Sequence, residues 1–189
     1  MKIVVAITGA SGAILGVRLL TALNELENVE THLVISDWGK KTIEIETDLA
    51  LEDVVKKSHY YHDNKNLGAS IASGSFKTDC MVIIPCSMKT LSGISHGYSN
   101  CLITRAADVI LKERRKLIIV PRETPLNTIH LENLLKLSKM GVEIAPFLPA
   151  FYNSPKSLDD VLDHFIGRVL DQLGIENKLV KRWGENQNN

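Results

Sequence analysis

The chain has 189 residues, 44% of them hydrophobic and 23% charged, which suits one soluble globular domain with a substantial core. Its 22 basic and 22 acidic side chains cancel, so no global field favours nucleic acid or an anionic membrane surface. Three cysteines without metal-ligand spacing argue against a disulfide framework or a zinc site. No apolar run reaches bilayer-spanning length, and the chain opens directly on a strand pattern without a leader, so a reducing cytoplasm is expected.

In chain order, residues 2–7 read as a first strand. Residues 11–27 follow as an amphipathic helix with Leu15, Leu19, Leu20, Leu23 and Leu26 on its apolar side. A second strand at 30–35 leads into a helix through Trp38 to about Glu46. Residues 47–77 read as a long connection holding one short helix at 51–57. A third strand covers 80–84, and a helical region at 87–115 is interrupted near Gly97. The fourth strand is 117–120, and the helix at 126–140 stops at Gly141. A short strand at 142–145 leads to a proline-rich link at 146–155. Ser157-Leu-Asp-Asp160 resembles a capping box and opens a last helix that buries Val161, Leu162, Phe165, Val169, Leu170 and Leu173. Residues 186–189 are polar and are expected to be a loose tail. Short β-branched runs alternating with helices predict an open parallel α/β sheet with helices on both faces, in one domain spanning 1–189.

Four of the apolar runs end in clusters of polar, glycine or proline residues. A parallel sheet delivers such strand ends to one edge, where ligands bind. Thr8-Gly-Ala-Ser-Gly-Ala13 is a small-residue turn opening a helix. It suits an anion or close backbone approach, or serves packing alone. Ser36-Asp-Trp-Gly39 follows the second strand. Ser87-Met-Lys-Thr90 repeats the arrangement after the third with two hydroxyls and an ammonium, which equally read as plain helix caps. In Pro121-Arg-Glu-Thr-Pro125, Arg122 suits a phosphate and Glu123 a proton transfer; an exposed ion pair is the plainer reading. Tyr152 and Arg168 can return to this edge, although Arg168 alone reads as a surface arginine. Lys112 stands apart from an otherwise solvated run at 112–116. Cys86 reads as a buried thiol before a nucleophile, and His59 with His62 has metal-pair spacing without a third ligand. His96 and His130 read as structural, and Trp38 and Trp183 serve either packing or stacking. These readings alone describe an α/β domain binding a phosphorylated small molecule.

Thr8-Gly-Ala-Ser-Gly-Ala13, Pro85-Cys-Ser-Met-Lys-Thr90, Arg105-Ala-Ala-Asp-Val109 with Leu111-Lys-Glu-Arg-Arg115, and Val120-Pro-Arg-Glu-Thr-Pro125 together resemble the UbiX flavin prenyltransferases. Phe151-Tyr-Asn153 and Arg182-Trp-Gly-Glu185 carry the resemblance to the C-terminal region. Ser-Met-Lys-Thr with Thr128-Ile-His-Leu-Glu132 is similar to the small B subunits that accompany hydroxyarylic acid decarboxylases. The resemblance implies a Rossmann- or flavodoxin-like flavoprotein that needs no metal. Such an enzyme joins the dimethylallyl group of dimethylallyl monophosphate to N5 and C6 of reduced FMN. Its product, prenylated FMN, serves a UbiD-type aromatic acid decarboxylase. The resemblance also implies a homododecamer with sites at subunit interfaces.

It further implies that Gly9, Ala10, Ser11, Ser36, Ser87, Met88, Lys89, Thr90 and Arg122 hold FMN. Lys112, Tyr152, Arg168 and the shared Arg122 would clamp the donor phosphate, with Arg105 a further basic residue. Glu123 and Glu46 would be active-site glutamates, and Trp183 an aromatic near the prenyl group. Two positions depart from the family pattern: Cys101 stands where Asn is common, and Cys80 where Gly is frequent. Two rival expectations are a noncatalytic FMN-binding or delivery subunit of a decarboxylase, and a flavin-dependent cysteine decarboxylase.

Overall fold

The β-branched runs become strands of one sheet. In the computed structural model, which describes residues 1–184, the strands are β1 (Lys2–Ile7), β2 (Glu30–Ile35), β3 (Tyr60–Asp63), β4 (Cys80–Cys86), β5 (Lys116–Pro121) and β6 (Glu143–Ile144). All pair in parallel, in the order β3-β2-β1-β4-β5-β6. The winding reverses between β1 and β4, the switch point at which open α/β sheets leave a crevice outside their carboxyl ends. The helices are α1 (Ala13–Asn24), α2 (Asp37–Glu46), α3 (Leu51–Val55), α4 (Met88–Ser95), α5 (Leu102–Lys112), α6 (Thr128–Lys139) and α7 (Leu158–Gln172).

Strand residues alternate between two covered faces, which is why β1 and β4 are buried almost throughout. Val4, Ala6, Met81, Ile83, Leu117 and Ile119 form one core with Leu91 and Ile94 of α4 and Ile103, Ala106, Ala107 and Ile110 of α5. The opposite face is covered by α1, which packs against β1 and β4 and buries Leu15, Leu19, Leu20 and Leu23. Cys80 and Cys86 lie wholly inside, and burial pushes both thiols up to about 12. Cys86 is therefore packing material rather than a nucleophile.

Local chemistry sets the boundaries. Gly12 adopts a left-handed φ of 96°, so α1 starts at Ala13 and not at residue 11. Gly97, at φ 66°, breaks the helical region between α4 and α5. Ser157 and Asp160 form the expected capping box on α7, and Asn127 with His130 forms another on α6. Within the long connection, residues 60–63 form the edge strand β3. There Tyr60 stacks on His32 at 4.9 Å, and His62 Nε2 lies 3.0 Å from His32 Nδ1. The rest of the connection is pinned to α5 and to the turn that follows it. Arg105 Nε donates to Ala72 O, while Arg115 donates to Gly74 O, Phe76 O and the Thr78 hydroxyl.

The chain divides into two compact units, Met1–Pro146, which holds the whole sheet, and a C-terminal unit beginning at Phe147. The division falls within the proline-rich link. The tail expected at 186–189, and Glu185 of the C-terminal motif, lie outside the described residues.

Candidate functional site

At the switch point, hydrogen bonds lace four strand ends together. The buried Thr8 hydroxyl, just beyond β1, donates to Pro85 O at 2.7 Å and accepts the Ser87 N–H at 2.8 Å. The Ser36 N–H donates to Ile7 O at 3.0 Å, and the Arg122 N–H to Cys86 O at 3.2 Å. Thr8 therefore braces β1 against β4. Sequence reading placed it in the cluster without a role, because its partners are 77 and 79 residues away.

Above this lacing opens a cleft of about 660 Å³. Gly9, Ser36, Ser87, Lys89 and Thr90 line it, as the strand-end reading expected. Ser36 caps α2 by accepting the Gly39 N–H at 3.0 Å, and Ser87 caps α4 by accepting the Thr90 N–H at 3.4 Å. The plain-cap reading of Ser87 is thus correct as far as it goes, but both capped helix starts also face the cleft. Two helix N-termini and the exposed Lys89 ammonium offer groups suited to a phosphate, with the Asp37 carboxylate on the same lining. Gly9 is required here, because any Cβ would collide with the Cβ of Trp38. Trp38 and Tyr98 add two exposed aromatic rings to the walls.

Asn64, His96 and Thr104, from loops and the start of α5, carried no motif that announced them as walls, whereas Cys101, after Asn100, is the departure from the family pattern and does line the cleft. Cys101 occupies the N-cap position of α5 without a side-chain cap bond. Asn64, from the loop after β3, does that work instead. Its backbone carbonyl accepts the Leu102 N–H at 2.8 Å, and its side-chain oxygen accepts the Ile103 N–H at 3.1 Å.

The other expected residues fall into separate places. Ala10, Ser11, Met88 and Arg122 neighbour the cleft in the chain but do not line it; Ala10 is buried, Ser11 and Arg122 are exposed, and Met88 packs on the core. Glu46 Oε2 accepts the Gly12 and Ala13 N–H groups at 2.8 and 3.2 Å, so a carboxylate already occupies the start of α1 that the sequence offered to an anion. Glu123 is exposed and accepts the Thr124 N–H at 3.0 Å. Arg105 and Lys112 stand seven residues apart on α5, beside residues 72–74. Arg105 pairs with Asp108 at 3.1 Å, and Lys112 pairs with Glu113.

Within the C-terminal unit, the Tyr152 ring meets His164 and Trp183 edge-on at 5.6 and 5.4 Å, and Arg168 pairs with Asp171 at 2.8 Å. Among the described residues, no helix is long and apolar enough to cross a membrane.

Comparison with known proteins agrees with this fold. The flavoprotein family profile matches residues 1–170. Flavin prenyltransferase UbiX of Methanocaldococcus jannaschii is 53% identical over 184 residues, covering 97% of this chain and 99% of that one. A dodecameric FMN-dependent UbiX-like decarboxylase from Escherichia coli O157:H7 superimposes with a TM-score of 0.96 at 57% identity, covering 97% and 99% of the two chains. AnUbiX (PadA1), solved in complex with FMN and dimethylallyl pyrophosphate, gives 0.94 at 48% identity, with 96% of each chain covered. The chain belongs to the flavoprotein family and, within it, to the UbiX-type flavin prenyltransferases.

Proposed function

We propose that the protein transfers a dimethylallyl group from dimethylallyl monophosphate to N5 and C6 of reduced FMN, and that the prenylated FMN goes to a UbiD-type aromatic acid decarboxylase in the cytoplasm. The observation that carries this reading is the cleft at the β1/β4 switch point, walled by two serine-capped helix starts, Lys89 and a glycine that admits no side chain. These residues fit FMN: the helix starts and the ammonium suit its phosphate, and the Trp38 and Tyr98 rings suit a flat tricycle. Kinship with named prenyltransferases favours catalysis over a noncatalytic delivery subunit.

Reduced FMN, when bound, supplies the nucleophilic nitrogen and ring carbon that accept the prenyl group. Gly9, Ser36, Ser87, Lys89 and Thr90 would hold it at the cleft wall, and the family resemblance adds Ala10, Ser11, Met88 and Arg122, which adjoin that wall along the chain. Departure of phosphate from an allylic carbon builds negative charge on the leaving group, which Lys112, Tyr152, Arg168 and Arg122 stabilise, with Arg105 adding positive charge. Ring closure adds one proton to the prenyl alkene carbon and removes one from the flavin ring carbon, with no net change; Glu123 would carry both transfers, and Glu46 fixes the turn at Gly12 through its two N–H bonds. Trp183 shelters the allylic cation from water.

Arg105 and Lys112 do not line the cleft of their own chain. In the proposed assembly, a homododecamer like that of the Escherichia coli relative, copies of the chain complete one another's sites. Replacing Lys112, Tyr152 or Arg168 singly by Ala tests the clamp. Each variant should retain FMN binding and lose at least about a hundredfold in prenyl transfer. Full activity in all three would overturn the clamp assignment.

A further inference from the structure

We infer that Asp171 is the positioning residue of the C-terminal unit, holding Arg168 and the segment that carries Trp183 in one fixed arrangement for the donor phosphate. The inference rests on the proposed function of Arg168, Tyr152 and Trp183.

The carboxylate sits in the last turn of α7 with both oxygens occupied. Oδ2 accepts from Arg168 Nη1 at 2.8 Å and from Arg182 Nη1 at 3.0 Å; Oδ1 accepts from Arg182 Nη2 at 2.9 Å and from Asn177 Nδ2 at 3.0 Å. Arg182 thus forks across both oxygens, the geometry in which a guanidinium is held best. The same Asn177 amide donates to Gly167 O at 3.1 Å. A Cβ at Gly167 would meet Asn177 Oδ1 at 2.7 Å and Leu179 Cβ at 3.0 Å, so residues 177–179 lie flush against α7.

The Asp171 side chain is 15% exposed, while the Arg168 side chain is 51% exposed. The anchor is withdrawn and the guanidinium is presented. Arg182 adjoins Trp183, whose ring meets Tyr152 at 5.4 Å, so one carboxylate ties Arg168 to the aromatic pair. Fixing these groups in advance removes the rotamer cost of ordering them on binding.

Titration calorimetry of FMN-loaded protein with dimethylallyl monophosphate, run alongside turnover, tests this. Asp171→Asn should weaken donor binding about tenfold or more while FMN affinity holds, and adding Arg168→Ala to it should cost little further. Arg182→Gln breaks the fork from the other side and should weaken donor binding as well; it keeps the test open if Asp171→Asn does not fold. Wild-type donor affinity in both variants, or a parallel loss of FMN affinity, overturns the positioning role. Donor binding without turnover in the wild type would instead count against the proposed reaction.

Discussion

Gly9 and Trp38 make the sharpest single-residue test of the cleft. A methyl at position 9 has no space beside the Trp38 Cβ, so Gly9→Ala must displace a cleft wall. We expect FMN affinity, read from flavin fluorescence quenching, to fall about tenfold or more; unchanged affinity would remove FMN from this cleft. The cysteines give a second test. Because burial pushes the Cys80 and Cys86 thiols up to about 12, neither should label with a maleimide in the native protein at neutral pH. Cys101, half-buried at the cleft, should be the responder, and all three should label after unfolding. Rapid native labelling of Cys86 would reopen its reading as a nucleophile. Gly9, Ser36, Ser87, Lys89 and Thr90 were legible beforehand because each belongs to a polar or small-residue cluster that ends an apolar run, and a parallel topology carries such clusters to one edge. Asn64 and Tyr98 were not, since no local pattern announces that a loop will close over a distant cleft.

Among the elements, the helices and the four long strands announced themselves by periodicity, and β3 did not. Its Tyr-Tyr-His-Asp sequence lacks a β-branched run, and what holds it is cross-strand stacking on His32, a contact invisible until β2 is placed beside it. This pairing makes stability depend on pH. Burial lowers the pKa values of His32 and His62 below the ordinary 6.5, so the unfolded chain takes up protons first as the solution is acidified. Their contribution is full above the unfolded value and is lost as pH falls through 6.5 and below. Glu30, held low by Lys2 and His32, loses its contribution only on further acidification, below its ordinary 4.5. Calorimetric Tm should therefore be level above about pH 7 and fall toward pH 5; a Tm that rises over that interval would contradict the assignment. The start of α5 is a second non-local construction. Asn64→Ala should cost about 1 kcal/mol, seen as a lower denaturant midpoint with an unchanged m-value, because it strips the cap that Cys101 does not supply.

At the scale of the whole molecule, the proposed clamp draws on both units: Arg122 and Lys112 belong to the first, with Lys112 on α5 outside the cleft, and Tyr152 and Arg168 belong to the C-terminal unit. The family resemblance alone suggested these roles, and spacing along one chain does not say which copy's site a side chain serves. Light scattering should return an assembly far larger than the 21.0 kDa chain, and a monomer with full activity would contradict the composite site. The most direct measurement of the central claim is anaerobic incubation of the purified protein with reduced FMN and dimethylallyl monophosphate, followed by mass spectrometry of the extracted flavin. The account predicts FMN enlarged by one dimethylallyl unit. Unaltered FMN, beside an active control enzyme, would contradict it.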